Sequence, residues 1–144
     1  MTSRTTLVGL YAVIDVDDLD RAIGFYTAAF GLRVARTFGG KAVELLDGPI
    51  PIHLVYKRTA STPTPLSPNA KTTRDYMRHW TPVHLDFVVD DVDGAVARAV
   101  AAGARLEGEI ETHDWGRIAV LADPFGHGLC VLQHVGRGYD EIKD

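Results

Sequence analysis

The amino-acid sequence predicts an α+β fold made of two similar βαβββ modules in one chain. The main observation is the stretch at 83–91, Val-His-Leu-Asp-Phe-Val-Val-Asp-Asp, in which apolar residues alternate as they do in a half-buried strand. The same pattern occurs at 10–18, which lies 73 residues earlier (91 − 18 = 73). A repeat that spans about half of the 144 residues predicts two copies of one unit, and neither copy is expected to bury its sheet face alone.

The first module, at 7–57, is predicted to contain one strand, one helix and then three strands. Its first strand covers 7–16, and Asp17 or Asp18 caps a helix that stops at Gly31. The apolar stripe of this helix consists of Leu19, Ala22, Ile23, Tyr26 and Phe30. The remaining strands are predicted at 33–38, 41–46 and 50–57.

The second module, at 82–134, is predicted to repeat this plan after a linker at 58–81. The linker has an extended part rich in Thr, Ser and Pro at 58–68, followed by a short helix at 73–79. The strand at 83–89 leads to Asp90 or Asp91 as the cap of a helix that is closed by Gly103. Further strands are predicted at 105–111, 116–122 and 129–134, and a loose tail at 135–144.

Length and charge narrow the classes of function. A chain of 144 residues fits one domain with a core of its own, and we expect a single domain over 1–144. The net charge is 15 − 19 = −4 and no element carries a cluster of Lys and Arg, so nucleic acid is not an expected partner. No apolar run has the length of a membrane span. Cys130 is the single cysteine, which excludes an internal disulfide and favours a cytoplasmic location.

Several short motifs in a fixed order resemble one family. They are Val16-Asp17-Asp18-Leu19-Asp20-Arg21-Ala22 with Phe25-Tyr26, Gly31-Leu32, Val89-Asp90-Asp91-Val92, Gly103-Ala104, and Trp115-Gly116-Arg117 leading into Asp123-Pro124-Phe125-Gly126. In this order the chain resembles the vicinal oxygen chelate superfamily, which includes glyoxalase I, bleomycin-resistance proteins, fosfomycin-resistance enzymes and extradiol dioxygenases. The resemblance covers about residues 7 to 134. It implies two βαβββ modules that share a cleft, and a homodimer.

The resemblance also implies where a metal would bind. Metal-dependent members take their ligands from the first and last strands of both modules, which correspond here to Tyr11, His53, His84 and Cys130. The two histidines suit a divalent ion, but Tyr11 is a poor neutral donor and Cys130 stands where a carboxylate is usual. The expected cofactor is therefore none or one divalent metal, with zinc favoured if one is present.

Other side chains are candidates for contact with a ligand. Tyr11, Trp80 and Trp115 would stack on a planar molecule, although packing in the core or in a dimer is an equal alternative. Asp86 is expected beside His84, where it either orients the imidazole or pairs with a nearby cation. Arg117 borders a loop and would bind an anionic group, with a solvated rim as the alternative.

Two classes of function follow from these observations. The first is a protein that binds a small organic molecule in the cleft between the modules without a full metal site, as the resemblance to bleomycin-resistance proteins implies. The second is a metal-dependent lyase, isomerase or dioxygenase that acts on a substrate with vicinal oxygens. The sequence assigns no catalytic residue and does not identify the ligand.

Overall fold

The computed structural model describes residues 4–62 and 72–144 and contains two helices and two sheets. The first module consists of β1 (Ala12–Val16), α1 (Leu19–Phe30), β2 (Arg33–Phe38), β3 (Ala42–Leu46) and β4 (Ile52–Tyr56). The second consists of β5 (Asp86–Val88), α2 (Val92–Ala101), β6 (Arg105–Leu106), β7 (Glu111–His113), β8 (Gly116–Ala122) and β9 (Gly128–His134). A short 3₁₀ helix, Gly138–Glu141, follows. The predicted α+β class and the βαβββ repeat are confirmed.

Both modules build their sheets in the same way. The first sheet has the order β1-β4-β3-β2, and β1 runs parallel to β4 with Val13 opposite His53. In the second sheet β5 runs parallel to β9 with Asp86 opposite Cys130, β9 pairs with β8, and both β6 and β7 pair with β8. The first strand of each module therefore lies at the edge of its sheet.

The two helices begin at equivalent positions in the repeat. Asp18 caps α1 by accepting a hydrogen bond from the backbone N–H of Arg21 at 3.0 Å. Asp91, 73 residues later, caps α2 through the N–H of Gly94 at 3.1 Å. Because each carboxylate satisfies a backbone donor that the helix leaves free, these aspartates fix where the helices start.

A single apolar core joins the modules, and both helices contribute their buried faces to it. The two helices contact each other, and four fully buried alanines lie on these faces: Ala22, Ala29, Ala95 and Ala99. The aromatic rings of Phe30 on α1 and Phe87 on β5 stack across the module boundary, with centroids 3.9 Å apart. Neither helix has the length and apolar character needed to cross a bilayer, as far as residues 4–62 and 72–144 are concerned.

The prediction of a helix at 73–79 is wrong for the residues that the structure describes. The backbone of Arg74 instead exchanges hydrogen bonds of 2.9 Å with Ala60 and Ser61, which draws the end of the linker against its beginning. His79 then forms an isolated β-bridge with His127. The prolines of the predicted connector, at 63, 65 and 68, lie outside the described residues.

Other boundaries are shorter or differently placed than predicted. β1 covers only the second part of the strand predicted at 7–16. β5 covers only three residues of the strand predicted at 83–89. The strand predicted at 105–111 is two separate strands, because Gly108 between them has a φ of 85° that no strand residue adopts. The tail at 135–144 is not entirely loose, since it contains the 3₁₀ helix.

Candidate functional site

A cleft of about 580 Å³ lies between the edge strands of the two modules. Tyr11, Val13 and Asp15 line it from the first module, His79 and Thr81 from the end of the linker, and His84 from the second module. Tyr11 and Trp80, which stands beside His84, leave about half of their surfaces exposed (55% and 46%). Tyr11 therefore gives the lining of the cleft accessible aromatic surface, and Trp80 stands next to the lining residue His84 without being part of the lining itself.

The first group of polar side chains lies on the sheet of the first module and centres on Glu44. Glu44 stands directly opposite His53 in the pairing of β3 with β4, so both side chains are on the same face. Its carboxylate accepts two hydrogen bonds from Arg36, at 2.8 and 2.7 Å, and one at 2.9 Å from His53 Nε2. The ring of Tyr11 stacks on the imidazole of His53 with centroids 4.7 Å apart.

The charge of Glu44 is held by its neighbours. Only 3% of the residue is exposed, and burial by itself favours the neutral carboxylic acid. The hydrogen bonds from Arg36, and after them the one from His53, outweigh burial and lower the pKa of Glu44 to about 2. Glu44 is therefore an ionised acceptor at neutral pH, and the proton in its contact with His53 belongs to the imidazole.

The second group contains His84, Asp86 and Cys130 on the sheet of the second module. One ligand atom from each residue lies within 4.8 Å of the others, and His84 Nε2 is 3.2 Å from Asp86 Oδ1. Burial first, and then the nearby Asp86 carboxylate, raise the pKa of the Cys130 thiol to about 11. Without a cation beside it, Cys130 is thus a protonated thiol at neutral pH.

The structure divides the predicted metal ligands between these two groups. It brings His84 and Cys130 together with Asp86, which does lie beside His84, whereas His53 and Tyr11 stand with Glu44 in the first group. In the part of the chain that the structure describes, no other set of three His, Cys, Asp or Glu side chains offers ligand atoms so close together.

Two predicted ligand contacts lie away from the cleft between the edge strands. Trp115 stacks on His113, with centroids 5.5 Å apart, and contacts Tyr139 in the 3₁₀ helix. Arg117 forms a two-point ion pair with Asp93 of α2, at 2.6 and 3.1 Å. Neither residue is part of the cleft lining.

Sequence reasoning missed Glu44 and its partner Arg36. The signal that could have found Glu44 is a single carboxylate inside the apolar run Ala-Val-Glu-Leu-Leu at 42–46. Strand alternation puts its neighbours Val43 and Leu45 in the core, so Glu44 points to the opposite face. The partner was harder to find, because the pairing of β2 with β3 shifts register between Val34 and Thr37. That irregularity changes where Arg36 points, and alternation does not reveal it.

The sequence matches known proteins over most of its length. The family profile of a glyoxalase-like domain matches residues 11–132. The uncharacterized protein Mb0911c of Mycobacterium bovis is 33% identical over 130 residues, which make up 89% of this chain and 85% of that protein. The anthracycline biosynthesis protein DauV of Streptomyces sp. strain C5 is 37% identical over 117 residues, which cover 81% of this chain but 38% of DauV.

Solved structures show the same fold at lower sequence identity. A mutant of the fosfomycin resistance protein FosX from Listeria monocytogenes, in complex with Mn(II), has a TM-score of 0.69 at 20% identity and covers 96% of this chain and 98% of its own. Lactoylglutathione lyase from Agrobacterium tumefaciens has a TM-score of 0.60 at 20% identity and covers 91% of this chain and 96% of its own. The chain therefore belongs to the glyoxalase-like domain family of the vicinal oxygen chelate superfamily.

Proposed function

We propose that this protein binds a planar small organic molecule in the cleft between its modules and needs no metal to do so. The observation that carries the proposal is the accessible aromatic ring of Tyr11 in the lining of a cleft of about 580 Å³, with Trp80 beside the lining residue His84. This volume falls in the range of about 300–1,000 Å³ that is usual for small-molecule sites. The similarity to DauV supports the proposal, because anthracyclines contain planar fused rings.

The two tryptophans of the chain allow a direct test of this site. Trp115→Phe leaves Trp80, which stands beside the lining residue His84, as the only tryptophan, and Trp80→Phe leaves Trp115, whose ring partners His113, His134 and Tyr139 are outside the lining. With 2-methoxyanthraquinone as the probe, we expect saturable quenching in Trp115→Phe and none in Trp80→Phe. Quenching that saturates only in Trp80→Phe, or in neither variant, contradicts binding in the cleft.

A second candidate function is that of a metal-dependent lyase, isomerase or dioxygenase, and the group of His84, Asp86 and Cys130 favours it. An imidazole nitrogen, a carboxylate oxygen and a sulfur are donors that a borderline ion such as zinc accepts, and three protein ligands leave one position open. Asp86 supplies from β5 the carboxylate that is missing at Cys130. A bound metal would supply Lewis-acid polarisation of vicinal oxygens in a substrate.

Zinc titration by calorimetry separates the two candidates, using protein purified without chelator or metal-affinity resin. If the metal-dependent candidate is correct, the parent binds one zinc ion, and Asp86→Asn and Cys130→Ser each weaken binding by roughly 10- to 100-fold or more. His113→Gln is the control, because this exposed imidazole lies on β7 outside the group. A parent protein that binds no zinc, or two variants that bind it as well as the parent does, rules out a metal at these residues.

We also propose that the protein forms a homodimer. Support comes from β1 and β5, which lie at sheet edges, and from exposed apolar residues on or just before these strands: Leu7, Val8, Leu10, Val13, Val83 and Val88. Open edges with apolar neighbours invite pairing with another chain. Light scattering at micromolar concentration is expected to give twice the mass of one chain, and the mass of a single chain contradicts the proposal.

A further inference from the structure

We propose that His79 and His127 hold a divalent transition metal ion at the wall of the cleft, apart from the group of His84, Asp86 and Cys130. Both imidazoles line the cleft, one from the end of the linker and one from the turn between β8 and β9. The ion takes two nitrogen ligands from the protein and leaves its other positions to water or to a molecule in the cleft. This inference does not rest on the proposed function, because it requires no planar ligand.

The backbone fixes the two histidines next to each other. They form an isolated parallel β-bridge, and the N–H of His79 donates to the carbonyl of Gly126 at 2.9 Å. The N–H of His127 donates to Oδ1 of the buried Asp123, also at 2.9 Å. The end of the linker packs so closely on the turn that a Cβ at Gly126 would clash with the carbonyl oxygen of Met77. Both rings are therefore positioned before an ion binds, which lowers the cost of ordering them.

Each ring uses one nitrogen to bind a backbone carbonyl. A carbonyl oxygen only accepts hydrogen bonds, so the ring nitrogen that contacts it is an N–H donor. His79 Nδ1 donates to the carbonyl of Met77 at 2.8 Å, and His127 Nε2 donates to the carbonyl of Asp15 at 2.7 Å. In the neutral rings the other two nitrogens, His79 Nε2 and His127 Nδ1, are therefore unprotonated. Histidines that bind metals show the same arrangement, because a hydrogen bond from the second nitrogen fixes the orientation of the ring.

The two unprotonated nitrogens, His79 Nε2 and His127 Nδ1, lie 3.2 Å apart, and neither can donate to the other. Two lone pairs at this distance repel each other unless a cation lies against both. Nitrogen donors about 2.05 Å from one ion are about 2.9 Å apart at a right angle and about 3.3 Å apart at the tetrahedral angle. The observed separation lies between these values, so both nitrogens fit the coordination shell of one ion.

A shared proton is the alternative cation, and the orientation of the two rings disfavours it. A linear N–H···N bridge adds the radius of each ring to the 3.2 Å and would place the ring centroids about 5.5 Å apart. Rings that both point at an ion about 2.05 Å from each nitrogen converge, and their centroids are then about 5.0 Å apart. The centroids of His79 and His127 are 5.0 Å apart, with the ring planes perpendicular. The geometry therefore favours a metal ion.

The charged side chains around the pair do not oppose a cation. Arg74 is paired with the carboxylate of Asp15 at 2.9 Å, and Arg78 is paired with Glu107 at 2.7 Å. Asp123 adds a negative charge behind the turn, since it accepts from a tyrosine hydroxyl and from backbone N–H groups, which are all neutral. Imidazole nitrogens suit zinc, copper and nickel, so zinc serves as the probe.

Nitrogen NMR tests the site one residue at a time. In ¹⁵N-labelled protein at a pH where both imidazoles are neutral, added zinc is expected to shift the signals of His79 Nε2 and His127 Nδ1 along one common saturation curve. The hydrogens are expected to stay on His79 Nδ1 and His127 Nε2 throughout. This measurement needs only the parent protein and no planar ligand.

Single variants identify the signals and test whether the two histidines share the ion. His79→Gln is expected to raise the zinc concentration needed to shift His127 by at least about 10-fold, and His127→Gln is expected to do the same for His79. The reason is that losing a ligand costs no less than losing one of its supporting hydrogen bonds. His113→Gln, which replaces an exposed imidazole on β7, is the control and leaves both responses as they are in the parent.

The outcomes keep this site apart from the other proposals. An ion held by His84, Asp86 and Cys130 shifts the signal of His84 and comes in addition to the one proposed here. The inference is overturned if zinc leaves His79 and His127 unshifted, or if either histidine responds as in the parent after the other is replaced. A hydrogen found on either of the two facing nitrogens in the parent shows that the rings share a proton, and it also overturns the inference. None of these results decides whether the cleft binds a planar molecule.

Discussion

The substitution Tyr26→Phe tests how firmly the two modules are joined. The hydroxyl of Tyr26 on α1 donates a hydrogen bond of 2.6 Å to Asp123 Oδ2, in the turn between β8 and β9. Both residues are buried, with 1% and 5% of their surfaces exposed, and Asp123 Oδ1 already accepts from the backbone of Phe125 and His127. Burial and the Asp123 carboxylate raise the pKa of Tyr26 well above its ordinary value, so the hydroxyl stays a donor.

Removing this hydroxyl leaves Asp123 Oδ2 without its donor at a buried position. Hydrogen bonds to charged groups contribute about 1.5–3 kcal/mol, so Tyr26→Phe is expected to lower the free energy of unfolding by this amount. For a domain of this size, that corresponds to a fall in Tm of roughly 5–12 °C. Urea unfolding followed by circular dichroism measures the loss, with the exposed Tyr139→Phe as the control. A loss below about 0.5 kcal/mol, no larger than a neutral surface change, would show that the bond does not hold the modules together.

Three further predictions concern single residues. The folded pKa of Glu44 is lowered from 4.5 to about 2, so its contribution to the free energy of unfolding is present above pH 4.5 and is lost as the pH falls towards 2. The difference in unfolding free energy between the parent and Glu44→Gln should therefore shrink between pH 5 and 3. A difference that stays constant over this range contradicts the prediction. Gly126→Ala should destabilise the protein by at least about 2 kcal/mol in urea unfolding, because φ is 83° and the new Cβ would lie 2.4 Å from the carbonyl oxygen of Met77; unchanged stability would show that the turn adapts. Arg117→Ala should leave the urea midpoint of the same assay close to that of the parent, since its partner Asp93 is mostly exposed, and a clearly lower midpoint would mean that this pair is shielded from water.

Much of the fold follows from the repeat in the sequence. The repeat limits each cap to one of two neighbouring aspartates, and the structure selects Asp18 and Asp91, because capping is a local effect of a carboxylate on the next turn of the chain. The segment at 73–79 differs from the predicted helix for the opposite reason. Its backbone partners, Ala60 and Ser61, lie on the other side of the linker, and local propensity contains no information about such a contact.

The candidate site was predictable in its residue types and less so in its grouping. Alternation places His84 and Asp86 on one face of the strand, and the structure confirms that they lie side by side. The link between His53 and Glu44 depends on which strands are neighbours and on their register, and neither alternation nor turn residues give the register of β3 on β4. Whether His53 shares a metal with His84 and Cys130 stays a prediction.

The alanines on the buried faces of α1 and α2 have a consequence for how relatives of this protein adapt to new ligands. The distance between packed helices depends on the size of the side chains at their contact, and it is about 8–10 Å in proteins generally. Each helix is joined to its own sheet, and the cleft lies between those sheets. Because Ala22 and Ala99 are fully buried, a larger residue at either position finds no free space, so it would push its helix away from its neighbours and shift the attached sheet without altering any side chain inside the cleft. Selection for a bulkier ligand therefore has positions to act on that never touch that ligand.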